Sequence, residues 1–331
     1  LINSQNEISN YLKKRKLNID IINEFNIGYS SLNSNVYDEF ANKFDEKVLQ
    51  ETGLFLFDER KKIFVERFRG RLLFPINSLT AKPLGIGGRK IDDNNNFAKY
   101  INSPETKFFK KGNNLYNLDK ARKESNKIDQ VYLVEGYMDV ITLFNHDVKN
   151  CVANLGTALT SKQIMILSQF FKETIICFDS DDSGFKAAIR AAENALKYLK
   201  PDSQISFLFL PKGEDPDSFV KKNKKSIFLD YSKNKKIQIH KFIFENYLSD
   251  STKSPSSLAM IEKKLKSISN SIQDETVRKY VLAFFMEEMS RYSHYNKYNF
   301  INYKSDKIKY KSLESTQKIF QETKQFSAID I

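Results

Sequence analysis

"TIICFDSDDSGFKAA", residues 174–188, passes from an apolar run into three carboxylates within four positions, Asp179, Asp181 and Asp182, and then into small residues at helical spacing. Two carboxylates about 4 Å apart repel by roughly 4 kcal/mol at an effective dielectric near 20, so a fold that gathers them calls for a cation. Taken alone, the stretch reads equally well as a solvated Asp/Ser/Gly turn. Its neighbours decide between the two.

Working outward, the run Val131–Val134 reads as a strand, "EGYMDVITLF" (135–144) as a helix and "CVANLG" (151–156) as a second strand. Thr160 with Gln163 forms a capping-box pattern that opens a helix over Ser161 to Phe171. "TIICF" is the third strand. Ala188, Ala191, Ala192, Ala195 and Leu199 then fall at helical spacing, and "ISFLFL" (205–210) is the fourth strand. Strict alternation from about 128 to 220 predicts a parallel sheet with helices on its faces, a class whose ligands gather at the carboxyl ends of the strands. The acids lie there. Glu135 follows the first strand, Asp179 and Asp181 the third, and Glu214, Asp215 and Asp217 the fourth in "LPKGEDPDSF". An extended chain through Ser180 would point Asp179 and Asp181 to one face. Such hard oxygens suit Mg²⁺ or Mn²⁺, and a pair of ions suits nucleotidyl or phosphoryl transfer.

The flanks differ. Residues 1–125 read as a mixed α+β segment with short apolar runs at 62–65 and 71–76. Pro83 and Gly85, Gly87 and Gly88 read as a hairpin turn, since they lack the strand-to-helix setting of a dinucleotide-binding loop. After 238 the pattern is helical, including Ser257 to Ile268 and Val277 to Met289. Beyond Arg291 a Lys, Asn, Tyr and Ser-rich tail reads as partly ordered or linker-like. The expected fold class is therefore α/β with α+β: a basic α+β part (1–125), a Rossmann-like parallel-sheet part (126–237), a helical part (238–290) and a tail (291–331).

With 331 residues, 40% of them hydrophobic, the chain can bury a sizeable core. Its net charge of +12 favours a polyanionic partner. Lys, Asn and Ile are abundant throughout, so arginines weigh more than lysines in choosing phosphate contacts. Cys151 and Cys177 with His146, His240 and His294 cannot make a zinc finger at their spacing, and the cysteines read as buried thiols of a reducing compartment. No apolar run spans a bilayer and no signal-peptide pattern opens the chain, so a cytoplasmic protein without membrane contact is expected.

At this point a family resemblance enters. Glu135 in "VYLVEGYMDV", Asp179 and Asp181 in "CFDSDDSG", and Asp215 and Asp217 in "LPKGEDPD" resemble the acidic set of a TOPRIM domain. With "RFRGRLLFPI" (67–76), "GIGGRK" (85–90) and "KYINSPETKFFKKGNNLYNLDKAR" (99–122) in the same order, the chain resembles bacterial DnaG-type replicative primases over roughly residues 8–290. The resemblance implies a DNA-directed RNA polymerase core of three parts that makes short RNA primers from ribonucleoside triphosphates on single-stranded DNA. It implies that Glu135, Asp179 and Asp181 are catalytic and bind Mg²⁺ or Mn²⁺, while Asp215 and Asp217 hold a further ion or tune the site.

By the same resemblance, Arg15 in "YLKKRKLN", Arg67, Arg69, Arg89, Lys99 and Lys111 would meet the template or the triphosphate, as guanidinium forks and ammonium groups suit phosphate. Tyr137 and Asn102 would support the nucleotide or the carboxylates, with a buried structural role open for the tyrosine. Asp182 has no implied role, and Lys221, Lys222, Lys224 and Lys225 read as a solvated helix end. Ser180 stands where the family often has glycine. Zinc-binding and helicase-binding domains usual in the family are not visible, so the expectation is a fragment, a monomer without zinc that reaches the replicative helicase and single-strand binding protein through other regions. Competing readings are another TOPRIM enzyme, a nuclease or topoisomerase-like protein, and a non-catalytic nucleic-acid-binding module. A fused helicase would need a P-loop motif, which the sequence lacks.

Overall fold

The computed structural model describes residues 2–33, 35–91, 98–156, 158–178, 182–249, 251–252 and 254–305, with the side chains of 2–7, 182–183 and 292–305 outside that description. The chain opens with α1 (Ile2–Lys14) and α2 (Ile19–Glu24), the latter capped by Asn18, whose side chain accepts from Ile21 N. A four-stranded antiparallel sheet follows in the order β1-β4-β5-β6, from β1 (Gly28–Ser30), β4 (Arg71–Asn77), β5 (Pro83–Lys90) and β6 (Tyr100–Asn102). Between β1 and β4 lie α3 (Val36–Ala41), α4 (Glu46–Glu51) and a two-stranded ribbon of β2 (Phe55–Asp58) and β3 (Ile63–Glu66). The short helix α5 (Leu118–Ala121) leads out of this region.

Here one expectation is corrected. Gly85, Gly87 and Gly88 do not form a hairpin turn; they lie inside β5, and the turn falls earlier, at residues 78–82, where Ser78 N bonds Lys82 O. Packing gives the reason. A Cβ on Gly87 would stand 2.5 Å from the Tyr137 hydroxyl and one on Gly88 2.5 Å from Phe68 Cδ1, so the glycines mark where aromatic rings press onto the strand.

The alternating segment folds as β7 (Gln130–Val134), α6 (Tyr137–Asn145), β8 (Cys151–Ala153), α7 (Ser161–Phe170), β9 (Glu173–Phe178), α8 (Asp182–Leu196), β10 (Gln204–Phe209) and α9 (Pro216–Lys235). β7 to β10 are parallel neighbours in the order β10-β9-β7-β8, and the short β11 (Ile237–Gln238) adds antiparallel to β10 at the edge. The capping box at α7 forms as its sequence predicts: Thr160 Oγ1 accepts from Gln163 N at 3.2 Å and Gln163 Oε1 from Thr160 N at 3.0 Å. α9 is broken at Lys224 (φ 63°, ψ 168°), a conformation that strains a residue with a side chain.

One core runs through both regions. Tyr132 and Val134 of β7, Ile175 and Cys177 of β9 and Leu208 of β10 point, two residues apart along their strands, at α6 and α9. The same cluster takes in Leu72, Phe74 and Ile76 of β4 and Leu17 and Ile21 near α2. With about 1.5–3 kcal/mol for each large apolar side chain buried, the shared layer ties the antiparallel sheet firmly to α6.

Helices α10 (Ile239–Ser249), α11 (Pro255–Asn270) and α12 (Glu275–Ser305) complete the described chain. α12 runs past Arg291, where the sequence predicts a weakly ordered tail, because no proline or glycine interrupts 275–305. Residues 1–281 make one compact unit and a second begins at Leu282. No helix among the described residues is long and apolar enough to cross a membrane.

Candidate metal and nucleic-acid site

The chain runs from β7 to β8 on one side of β7 and then to β9 on the other, so the β7/β9 boundary is the topological switch point of the sheet, where ligands of this fold class bind. Glu135 sits there. It follows the last residue of β7 and precedes Gly136, which caps α6 by donating its N–H to Asp139 Oδ2 at 3.0 Å. Leu133 pairs with Ile176, so the register carries Glu135 to the level of Phe178, the end of β9. Asp179 and Asp181, the other members of the expected catalytic set, lie outside the described residues. Beside Glu135 a cavity of about 490 Å³, lined also by Asn154, Ile176, Phe178, Arg190 and Asn194, is large enough for part of a nucleotide.

The loop after β10 and the first turn of α9 present three acids in three different states. Glu214 is bound by the Ser218 hydroxyl and by Lys222, whose ammonium, followed by Ser218, holds the carboxyl below its ordinary range. Asp215 caps α9: its Oδ1 accepts from Ser218 N at 2.6 Å, the one hydrogen bond its carboxylate makes among the described residues. Asp217 is only 8% exposed. Its carboxylate takes a hydrogen bond from Thr142 Oγ1 and ion pairs with Lys221 Nζ at 2.6 Å and Arg15 Nη1 at 3.5 Å. Lys221, with its side chain 18% exposed against Asp217, is therefore not part of the solvated helix end that the sequence predicts, while Lys222 stays 65% exposed as it bridges to Glu214.

The basic residues also divide. Lys99 is exposed just before β6, and Arg69 is exposed while bridging to Glu66 at 3.2 Å. Arg67 donates Nε to Asn102 O at 3.2 Å. Lys111 is half-buried, and its segment is pinned to α7 by Gln163 Nε2, which donates to Lys111 O and Asn114 O. Arg89 is different, being 4% exposed. Its guanidinium lies 5.3 Å from the Tyr11 ring centre and 5.2 Å from that of Tyr100, it donates to Tyr100 Oη at 2.7 Å, and its Nε has no acceptor among the described residues. Burial raises the Tyr100 phenol to about 12 against the opposing pull of Arg89. Arg89 thus clamps α1 to the antiparallel sheet and offers no outward face, unlike the phosphate contact its motif implies.

Tyr137 and Asn102 meet. The Tyr137 hydroxyl donates to Asn102 Oδ1 at 2.6 Å, and Asn102 Nδ2 donates to Leu155 O at 2.8 Å. The Tyr137 ring stacks on Phe74 at 5.3 Å and meets Tyr116 edge-on at 4.7 Å, and burial pushes its phenol well up. Of the two roles open to it, the buried structural one is what the geometry gives.

A family model of the DNA primase catalytic core, N-terminal domain, matches residues 1–122, and a Toprim domain model matches residues 129–209. The DNA primase of Pasteurella multocida is 39% identical over 239 residues, 71% of this chain and 40% of that protein. Among solved structures, the E. coli primase catalytic core superposes with a TM-score of 0.80 at 31% identity, covering 86% of this chain and 91% of that one. The chain belongs to the DnaG-type DNA primase family. A DnaG primase catalytic domain solved bound to single-stranded DNA is also similar, with a TM-score of 0.76 at 32% identity over 86% of this chain and 90% of that one. This member of the family spans about 40% of the length of the curated relative it matches first.

Within this primase-family core the acidic residues differ in their fit to a divalent ion. Glu135 is an exposed carboxylate at a switch point and, among the described residues, Asp215 Oδ2 meets no protein donor, so both fit a hard cation. Asp217 does not, since its oxygens are already engaged by two cations and a hydroxyl. Among the described residues no three potential ligands converge, and Asp179 and Asp181 are not among them. Thr142 is the participant that sequence reasoning missed; its one signal is a hydroxyl on the otherwise apolar "VITLF" face of α6.

Proposed function

We propose that the chain is the RNA polymerase core of a replicative primase, making short RNA primers on single-stranded DNA from ribonucleoside triphosphates. The observation that carries this reading is Glu135 at the β7/β9 switch point of a Toprim sheet joined, through one core, to a basic antiparallel sheet. The chain divides in this reading into an N-terminal basic part (1–125), a metal-binding part (126–237), a helical part (238–290) and a following segment (291–331), the two family matches supporting the first two of these. Glu135, Asp179 and Asp181 would hold Mg²⁺ or Mn²⁺, with Asp215 as a further ligand. The bound ions supply charge stabilisation for the attacking 3′-hydroxyl and the leaving pyrophosphate. The protein's own residues position the partners: Arg67, Arg69, Lys99 and Lys111 bind phosphates of template or triphosphate, Asn102 and Tyr137 hold the start of α6, and the cavity beside Glu135 shelters the nucleotide from water. Single-stranded DNA as template is supported by the similar domain solved with it.

The test is incubation with single-stranded DNA, labelled ribonucleotides and Mg²⁺ or Mn²⁺. Wild type should form template-dependent oligoribonucleotides and Glu135→Gln should not. No product at any protein concentration, or equal product from both proteins, would overturn the reading.

A further inference from the structure

Asp217 belongs by its motif to the ion-binding acids, yet its surroundings differ from those of Glu135 and Asp215. We propose that Asp217 is a positioning residue, not an ion ligand: a charge clamp that ties α1 and α6 to the start of α9 and fixes the placement of Glu135 relative to Asp215. The proposal deepens the reading above and rests on its assignment of an ion to those two carboxylates.

Three elements converge on the one carboxylate. Arg15 lies just past the end of α1, with Nη1 3.5 Å from Oδ2. Lys221, one turn further along α9, places Nζ 2.6 Å from Oδ1. Thr142, about one and a half turns into the helix that starts beside Glu135, donates its hydroxyl to Oδ1. Asp217 is 8% exposed and the Lys221 side chain 18%, so this pair is little screened by water, while the Arg15 side chain, 30% exposed, is screened more. A carboxylate offers about four lone-pair sites. Three are in use, and a divalent ion at the remaining one would sit against two cationic groups. Asp215, two residues earlier, shows the contrast, with one backbone hydrogen bond on Oδ1 and, among the described residues, no cation paired with it. The clamp joins the helix that follows Glu135 to the helix that Asp215 caps, so loosening it shifts one ligand against the other without removing either.

The experiment follows Mn²⁺ binding by electron paramagnetic resonance on the whole chain for Asp217→Asn, Arg15→Gln, Thr142→Val, Asp215→Asn and Glu135→Gln. D217N, R15Q and T142V should each keep the wild-type number of ions and weaken affinity by a similar factor, about tenfold as for groups that orient metal ligands. The R15Q/D217N double variant should bind no more weakly than D217N. Loss of an ion in D217N with R15Q and T142V unaffected would make Asp217 a ligand and overturn the proposal. A D217N protein that melts early yet binds Mn²⁺ as wild type would reduce the clamp to ordinary structure and also overturn it. The reading on which it rests fails separately, if E135Q and D215N bind like wild type. In that case the clamp is judged by thermal melting of metal-free R15Q, D217N and the double variant, where additive losses would sink it. Should D217N not fold, R15Q and T142V keep the carboxylate and carry the comparison.

Discussion

Replacing Gly87 by alanine tests how tightly the two sheets are joined. The new Cβ would stand 2.5 Å from Tyr137 Oη and 2.7 Å from Cε2, against the 3.5–4.0 Å of ordinary carbon contacts, so the ring must withdraw by about 1 Å. It has little room. Phe74, fully buried, stacks on one face at 5.3 Å, Tyr116 closes another side at 4.7 Å, and the hydroxyl is held by Asn102. Overpacking of this kind costs about 1–3 kcal/mol and the hydrogen bond about 1 more, giving roughly 2–4 kcal/mol. At about 2–4 °C per kcal/mol for a chain of this size, calorimetry should show Tm lower by roughly 4–16 °C. Tyr137→Leu removes the ring tip, so G87A/Y137L should lose less than the sum of its parts. Tyr137 is the first residue of α6, and G87A should weaken Mn²⁺ binding at Glu135 as well. A G87A protein melting within about 1 °C of wild type, or strict additivity with Y137L, would refute the close approach.

Three further outcomes follow from single environments. Arg89→Met should leave the salt dependence of single-stranded DNA binding unchanged, because Arg89 is buried between two tyrosines, while Lys99→Gln should lower the slope of log K against log salt by roughly 0.7; the reverse pattern would return Arg89 to the template. Cys151 and Cys177 are fully buried and burial drives both thiols up, so neither should react with iodoacetamide until the protein is unfolded, when mass spectrometry should find both modified. Burial holds His240 below its ordinary range, so the fold favours the neutral ring. Protons then bind the unfolded chain first, and the stability that His240 contributes is present above about pH 6.5 and lost as pH falls through it. His240→Gln should flatten the fall in Tm between pH 7 and 5.5, and an unchanged slope would refute that account.

Much of the sheet was legible because its signals are local. Thr160 and Gln163 announced α7, and the apolar runs ending at Val134, Phe178 and Phe209 announced three parallel strands. Glu135 and the acids after β10 could be placed at strand ends for the same reason. What escaped the sequence depends on distant partners. Glycines in β5 look like a turn until Tyr137 and Phe68 are brought against them. Arg89 and Lys99 both sit in basic motifs, yet one is enclosed by Tyr11 and Tyr100 and the other is exposed. Asp215 and Asp217 are chemically identical two residues apart, and the arrival of Arg15, from 202 residues away in the chain, and of Thr142, together with Lys221 on the same helix, distinguishes them.

The apolar layer shared by β4 and α6 has a bearing on modular exchange. The side of Phe74 that meets Tyr137 belongs to one family-matched segment and the ring it meets to the other. A Toprim segment transplanted from a relative would have to bring its own complement to Phe74, Gly87 and Asn102, or the graft would leave an apolar face unmatched beside the carboxylate it was meant to supply. The two segments are thus bound to change together, as halves of one mould.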